Sequence, residues 1–340
     1  MNTGVRENKD MDTLLLQKSD VEQLIDMDNV LTAVENGYRS FNSGQVVQPD
    51  FMSLVRPGTH IGFDFKAGMD MQAGFISLKS SSGGYKDNIS MGLPSGLNMV
   101  YLYDAGTSAL KCIMDGTFIT RCRTAAAGAI SVKYMARKDA HKLAVIGAGG
   151  QARWQLRAIL RVRHITEVTV WSYTREHAEK YAREMQKETG IPVRCCTGPE
   201  DAVRNADIIV TTTIGRRGPV LNRAMLKNGV HIAAIGSDMP DKQELDTDIF
   251  KDARLIVDSV RTASKNGETH HALEKGVIKE SQIAGEIGEV ILGRVPGRSS
   301  EDEITVFDTC GMAIQDNAMA VSLYREAIIK HMGSTFDFLG

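Results

Sequence analysis

Several features are scarce in this 340-residue chain, and each scarcity removes a class of protein. No stretch approaches the roughly twenty uninterrupted apolar residues of a transmembrane helix. Residues 1–10 are polar and lack the apolar core of a secretory signal, so the expected location is cytoplasmic and no membrane partner is expected. The five cysteines are odd in number and show no Cys-x-x-Cys spacing, which reads as free thiols rather than a disulfide frame or a zinc site. The eight histidines never fall in a His-x-x-x-His pattern, and no metal is expected. A formal net charge of -2 gives no bulk attraction to nucleic acid. Low-complexity linkers and internal repeats are absent.

What is present begins with a glycine turn. Four apolar residues, 143–146, lead into Gly147-Ala-Gly149-Gly150-Gln151-Ala152, and a helix-forming run follows. In such a turn the first glycine permits the tight bend and the second lets backbone approach a pyrophosphate. The small third residue allows close helix-strand packing, and the helix N-terminus offers free amides. An isolated match is weak, but a second apolar strand over 168–172 ends at Ser172, where the residue meeting an adenosine ribose belongs. The segment Ser172-Tyr-Thr174-Arg175 offers hydroxyls and a guanidinium where NAD-specific domains place a carboxylate. That composition points to NADP(H) ahead of NAD(H), with Ser172, Thr174 and Arg175 as cofactor contacts alongside the turn.

From about residue 140 to 310 short apolar runs alternate with helical ones. Strands are expected at 143–146, 168–172, 193–196, 208–212, 231–235, 255–258 and 304–307, with helices at 152–162, 175–189 and 199–205. This is the signature of an α/β, doubly wound parallel sheet of Rossmann type. Residues 1–125 read as α+β: a strand at 13–17, an amphipathic helix over 20–42, and short strands broken by glycines over 50–120. The alanine-rich run 124–136 is helical and bridges into the first Rossmann strand; 314–332 is helical and returns to the first domain. The expected division is 1–126 with 313–340 as one domain and 127–312 as the other.

Three cations sit among small or turn-forming residues: Arg56 before Pro57-Gly58, Lys79 between Leu78 and Ser80, and Arg123 before an alanine run. Singly, each reads as a solvated surface charge. Arg123 stands apart, because at the start of a helix a cation opposes the dipole and an anionic ligand would explain it. Asp238, following a strand and Gly236-Ser237, is expected at the carboxyl edge of the sheet, where open α/β folds bind ligands.

These motifs, in this order, resemble the ornithine cyclodeaminase/mu-crystallin family over nearly the whole chain. The resemblance runs from Lys79 through Tyr85, Asn88, Gly92-Leu-Pro94, Asp104 and Met114-Asp-Gly116 to Arg123. It continues through the glycine turn and Gly236-Ser-Asp238, and closes on the run from Gly288 to Arg298 and on 304–316. It implies a homodimer whose first domain dimerises and holds a small amino- or imino-acid substrate, while the Rossmann domain presents a nicotinamide. It further implies that Arg56, Lys79 and Arg123 grip the substrate carboxylate, with Lys79 also counted as catalytic, and that Asp238 is the catalytic acid. Cyclodeaminases of the family carry a glutamate between the first arginine and the lysine; here that interval holds Asp64 and Asp70 instead. The expected activity is therefore a net redox one, imino-acid reduction or amino-acid dehydrogenation. The alternatives are an ornithine or lysine cyclodeaminase, for which Asp64 would replace the glutamate, and a non-catalytic ligand-binding protein.

Overall fold

The computed structural model describes residues 12–59, 61–94 and 96–338; the polar stretch 1–10 lies outside the described residues. The chain divides into two compact units, one formed by the chain up to Thr120 together with that from Ala313 onward, the other by Arg121–Met312.

In the first unit, β1 (Thr13–Leu16) leads to α1 (Lys18–Leu24) and α2 (Met27–Asn42). The single helix expected over 20–42 is thus two. The reason is Asp26, whose Oδ1 accepts from the backbone N–H groups of Asp28 and Asn29 at 3.0 and 3.1 Å, capping α2 and ending the first helical segment before it. There follow β2 (Val46–Val47), β3 (Met52–Val55), β4 (Gly62–Asp70), β5 (Phe75–Gly83), β6 (Asn98–Asp104) and β7 (Leu110–Asp115). The helix α3 (Gly116–Met135) comes next and contains the boundary between the units. It begins well before the expected 124, because Asp115 Oδ1 receives the N–H groups of Thr117 and Phe118. Arg123 therefore lies two turns inside a helix, and the argument from an opposed dipole at its start falls.

The second unit contains β8 (Lys142–Ile146), α4 (Gly150–Ile159), β9 (Glu167–Trp171), α5 (Arg175–Thr189), β10 (Val193–Cys195), α6 (Pro199–Val203), β11 (Ile208–Thr211) and β12 (His231–Ala234). It continues with β13 (Arg254–Val257), α7 (Val260–Ala263), α8 (Gly267–Glu274), β14 (Gly285–Glu286), α9 (Ile287–Ile291) and β15 (Thr305–Asp308). All eight strands are parallel, in the order β10-β9-β8-β11-β12-β15-β13-β14. The doubly wound sheet expected from the alternating pattern is what forms. Continuous apolar runs such as Leu143–Ile146 are fully buried, as strands covered on both faces must be.

The chain then returns to the first unit through α10 (Ala313–Lys330) and β16 (Ser334–Phe336). Here the sheet order is β16-β1-β7-β6-β5-β4-β2, with β3 also paired to β4, and the strands from β4 to β7 are antiparallel. Alternation gives this sheet two unlike faces. Lys79 lies opposite Lys66 and Val100, and Ser77 opposite Leu102, on a face where Val100, Leu102 and Met114 are fully buried. On the other face Met52 and Leu54 lie opposite Phe65 and Phe63 and remain 55% and 57% exposed. One side is a core and the other is an open apolar surface.

Candidate active site

The glycine turn follows β8 at the carboxyl edge of the parallel sheet. Gly147 has φ +105°, and a β-carbon there would lie 2.8 Å from the Thr212 backbone, so only glycine fits without displacement. Its N–H donates to the Trp171 carbonyl at 2.8 Å, which ties the turn to the end of β9. Gly149 and Gly150 face open space, with no atom within 4 Å of a β-carbon placed on either. Gly149 is the N-cap of α4 and supplies no side chain to its free amides. The turn therefore has the open, donor-rich cradle that a pyrophosphate requires. Ala152 is fully buried, and Gln151 Nε2 reaches the Arg121 carbonyl at 3.4 Å.

Arg153 was not anticipated from sequence. Its Nη1 donates to the Ala148 and Gly149 carbonyls at 2.8 and 3.0 Å, and its Nε and Nη2 bind Glu184 of α5 at 2.9 and 2.5 Å. The carbonyls of the turn are thereby held away from the side where an anion would sit. At the ribose position, Ser172 directly follows β9 and Thr174 is the N-cap of α5 without using its hydroxyl as a cap. Arg175 is 74% exposed and its Nε lies 2.8 Å from Glu179 Oε1, one helical turn on.

Asp238 lies beyond β12 at the same edge of the sheet. It is half exposed, and its Oδ1 is 2.5 Å from Lys242 Nζ. The loop that carries it is fastened from below by carboxylates. Glu244 receives the N–H groups of Gly236 at 2.8 Å and Thr213 at 2.5 Å; Glu268 in turn receives those of Glu244 and Leu245 at 2.7 and 3.1 Å. Asp308 Oδ2 accepts from the Thr269 N–H and hydroxyl at 2.8 and 2.6 Å. All three acids are fully buried. Burial raises the Glu244 pKa; burial, then Glu244 and Asp308, push Glu268 well up; burial lifts Asp308 to about 7. Sequence gave no signal for this ladder, since each link is a side chain bonded to backbone distant in the chain.

The three expected cations have different settings. Lys79 is 2% exposed, with Nζ 2.7 Å from Asp316 Oδ2 and 3.4 Å from the Thr120 hydroxyl. Asp316 stands in the first turn of α10, where a helix N-terminus favours an anion. Neighbouring side chains fasten that turn: Asn317 Nδ2 donates to the Gly68 and Phe75 carbonyls, Gln315 Nε2 to the Tyr38 hydroxyl, and Ile314 N–H to Gln48 Oε1. Arg56 is exposed, just beyond β3. It lies two strands from Lys79, across β4, and five residues along that strand, roughly 20 Å at strand spacing, so the first unit does not set the two side by side. Arg123, in the second unit, is 6% exposed and packs against Gly311, where a β-carbon would meet its Nη1 at 2.6 Å. Asp258 holds that segment by accepting from Gly311 N–H and the Thr309 hydroxyl, each at 2.7 Å. Of the two acids in the 57–78 interval, Asp70 is a buried turn cap bonded to Ser40, Gln72 and Ala73, while Asp64 accepts from Ser53 at 2.5 Å on the same sheet face as Lys79.

None of the five cysteines is joined in a disulfide, and burial pushes the Cys112 and Cys122 thiols up to about 12. Among the described residues no cluster of three or more His, Cys, Asp or Glu could hold a metal ion, and no helix is long and apolar enough to cross a membrane.

A doubly wound sheet headed by an open glycine turn defines the class, a Rossmann-type dinucleotide-binding α/β protein. The sequence model of the ornithine cyclodeaminase/mu-crystallin family matches residues 11–331, and the chain belongs to that family. Three solved structures resemble nearly all of it. An archaeal alanine dehydrogenase dimer with bound NAD is 37% identical, with a TM-score of 0.91, covering 97% of this chain and all of its own. The Delta(1)-pyrroline-2-carboxylate reductase of Thermococcus litoralis, in complex with NADH and L-proline, is 33% identical, with a TM-score of 0.89, covering 95% of this chain and 99% of its own. The iminosuccinate reductase of Paracoccus denitrificans, in complex with NAD+, is 31% identical at the same TM-score and coverage. All three are by name dehydrogenases or reductases, in agreement with the redox activity expected from sequence.

Proposed function

We propose that the chain is a nicotinamide-dinucleotide-dependent oxidoreductase of the Cα–N bond, reducing a linear or cyclic α-imino acid or oxidising the corresponding amino acid. The observation that carries this reading is one chain holding both an open dinucleotide turn at Gly147–Gly150 and a buried, ion-paired lysine, Lys79, with an accessible acid, Asp238, at the sheet edge. When bound, the nicotinamide would exchange a hydride with the substrate Cα. The protein's part is to bind, orient and move a proton. Gly147, Gly149, Gly150, Gln151 and Ala152 form the phosphate cradle, with Ser172, Thr174 and Arg175 toward the ribose. Lys79 and Arg123 are assigned to the substrate carboxylate, since guanidinium and ammonium donors fix both its position and its orientation; Arg56, which is not set beside Lys79, is left out of that grip. Asp238 is assigned the proton exchanged with the substrate nitrogen, for which its exposure suits it. Lys79 reads as a cation that holds the carboxylate rather than as a base, because its ammonium already faces Asp316.

The absence of a carboxylate over 172–175 supports acceptance of NADP(H), whereas NAD or NADH occupies all three solved relatives. We take both dinucleotides as cofactors, with NADP(H) preferred. The open apolar face bearing Met52 and Leu54 supports a homodimer formed through the first unit.

A second reading, cyclodeamination, is favoured by one observation: Asp64 shares the sheet face of Lys79. Stoichiometry separates the two. With ornithine or lysine and a trace of NAD+, a cyclodeaminase releases ammonia and a cyclic amino acid with no net change in nicotinamide absorbance. The proposed oxidoreductase consumes NADH or NADPH in proportion to imino acid. Ammonia release at constant cofactor would replace the primary reading. Tight cofactor binding with no turnover of any imino acid, prepared from keto acids with ammonia or methylamine or supplied as cyclic imines, would indicate the ligand-binding protein.

A further inference from the structure

The loop between β11 and the segment leading to β12 carries two adjacent arginines, and they are disposed differently. Arg216 Nε lies 2.8 Å from Asp241 Oδ2. The guanidinium of Arg217 instead lies over the ring of Tyr173, 4.7 Å from its centroid, and among the described residues no carboxylate pairs with it. Gly215 and Gly218, with φ of +68° and +84°, flank the two arginines. Left-handed glycines on either side let consecutive side chains of a short loop take separate courses.

The position of this contact follows from the strand order. β9 and β11 are the two neighbours of β8, one on each side, and all three run parallel. Tyr173 follows β9 and Arg217 follows β11, so their contact spans the carboxyl end of β8, from which the glycine turn issues. That turn is flanked by the same two elements: Gly147 N–H bonds the Trp171 carbonyl, and a β-carbon on Gly147 would meet Thr212 at 2.8 Å. Tyr173 is itself supported by Trp171, with ring centroids 4.9 Å apart at 63°. An unneutralised guanidinium on an aromatic face thus lies beside Ser172, at the ribose position. Arg175, the cation nearest in sequence, is engaged with Glu179.

We propose that Arg217 and Tyr173 form a clasp on the adenosine half of the cofactor, with Arg217 supplying the cation that pairs with a 2′-phosphate. This rests on the reading that the chain accepts NADP(H). A guanidinium stacked on a ring keeps its donors free in the plane, and a phosphate ester offers it bidentate, charge-assisted hydrogen bonds. Tyr173 presents the apolar surface against which the adenosine half would lie.

The test is calorimetric binding of NADPH, NADH and adenosine 2′,5′-bisphosphate to the full chain and its variants. Arg217→Ala should weaken NADPH and the bisphosphate by roughly tenfold or more, about one charge-assisted contact, and NADH by about threefold or less. Arg175→Ala should shift the NADPH-to-NADH ratio of dissociation constants by less than Arg217→Ala does, and Tyr173→Ala should weaken all three ligands. Both arginines are exposed, so folding is not at stake. An unchanged ratio in Arg217→Ala, or a ratio that moves instead with Arg175→Ala, overturns the clasp and leaves the cofactor reading standing. If the unmodified chain binds NADH but not NADPH, the NADP(H) reading fails and the phosphate pairing fails with it.

Discussion

Two lysine–aspartate pairs of nearly equal length occupy opposite environments in the two units. Lys79 and Asp316 meet at 2.7 Å, 2% and 1% exposed; Lys242 and Asp238 meet at 2.5 Å, 19% and 49% exposed. Distance alone would rank them together. Burial separates them: inside the first unit neither partner has water to take the other's place, whereas Asp238 can exchange Lys242 for water or substrate at little cost. The first pair is suited to holding and the second to proton transfer.

The largest expected effect comes from breaking the buried pair. Lys79→Met should destabilise the protein by about 3–5 kcal/mol in denaturant titration, because Asp316 loses the ammonium it meets in a buried site. The double variant Lys79→Met/Asp316→Leu should recover most of that stability without recovering substrate affinity. Should the single variant cost under about 1 kcal/mol, water reaches Asp316 and the contrast between the pairs dissolves. Asp238→Asn should behave in the opposite way. Its kcat should fall roughly 100-fold, about 2.7 kcal/mol in the barrier, while its unfolding midpoint stays close to that of the parent. Lys242→Met should change stability by about 1 kcal/mol or less. Equal losses of activity in the Asp238 and Lys242 variants would show that the pair acts as one unit.

A smaller effect concerns the acids beneath Asp238. Burial raises the Asp308 pKa from the ordinary carboxylate range to about 7. The folded state therefore holds a proton that the unfolded chain releases, and the stability this confers is complete at low pH and lost as pH rises through about 7. Between pH 6 and 8 the loss is about 1.4 kcal/mol. Asp308→Asn keeps the acceptor for Thr269 without titrating, so the difference in stability between variant and parent should move in the variant's favour over that range. A pH-independent difference would place the proton elsewhere in the ladder.

Much of the second unit was legible because its physics is local. Strands buried on both faces must be apolar runs, and the glycine turn requires its glycines whatever surrounds it, so the seven expected strands lie within a residue of those observed. Only the two-residue β14 gave too little pattern to notice. The helices of 260–291 also went unforeseen, being short and lacking a clear apolar period. In the first unit the break at Asp26 had a visible capping signal that the long amphipathic period masked. What no local pattern could give is pairing at a distance. Asp316 stands within a motif that sequence exposes, yet nothing near it in the chain says that its partner is Lys79. Glu244, Glu268 and Arg153 serve backbone groups whose positions exist only once the chain is folded.

Glu244 and Glu268 also bear on how this scaffold could change its chemistry. Side chains around Asp238 could vary to suit another substrate, provided the amides of Gly236 and Thr213 still find Glu244 and its own amide still finds Glu268. Libraries aimed at new substrates should therefore randomise outward from Asp238 and hold these two glutamates constant, since a change in either would discard every new combination in that loop at once.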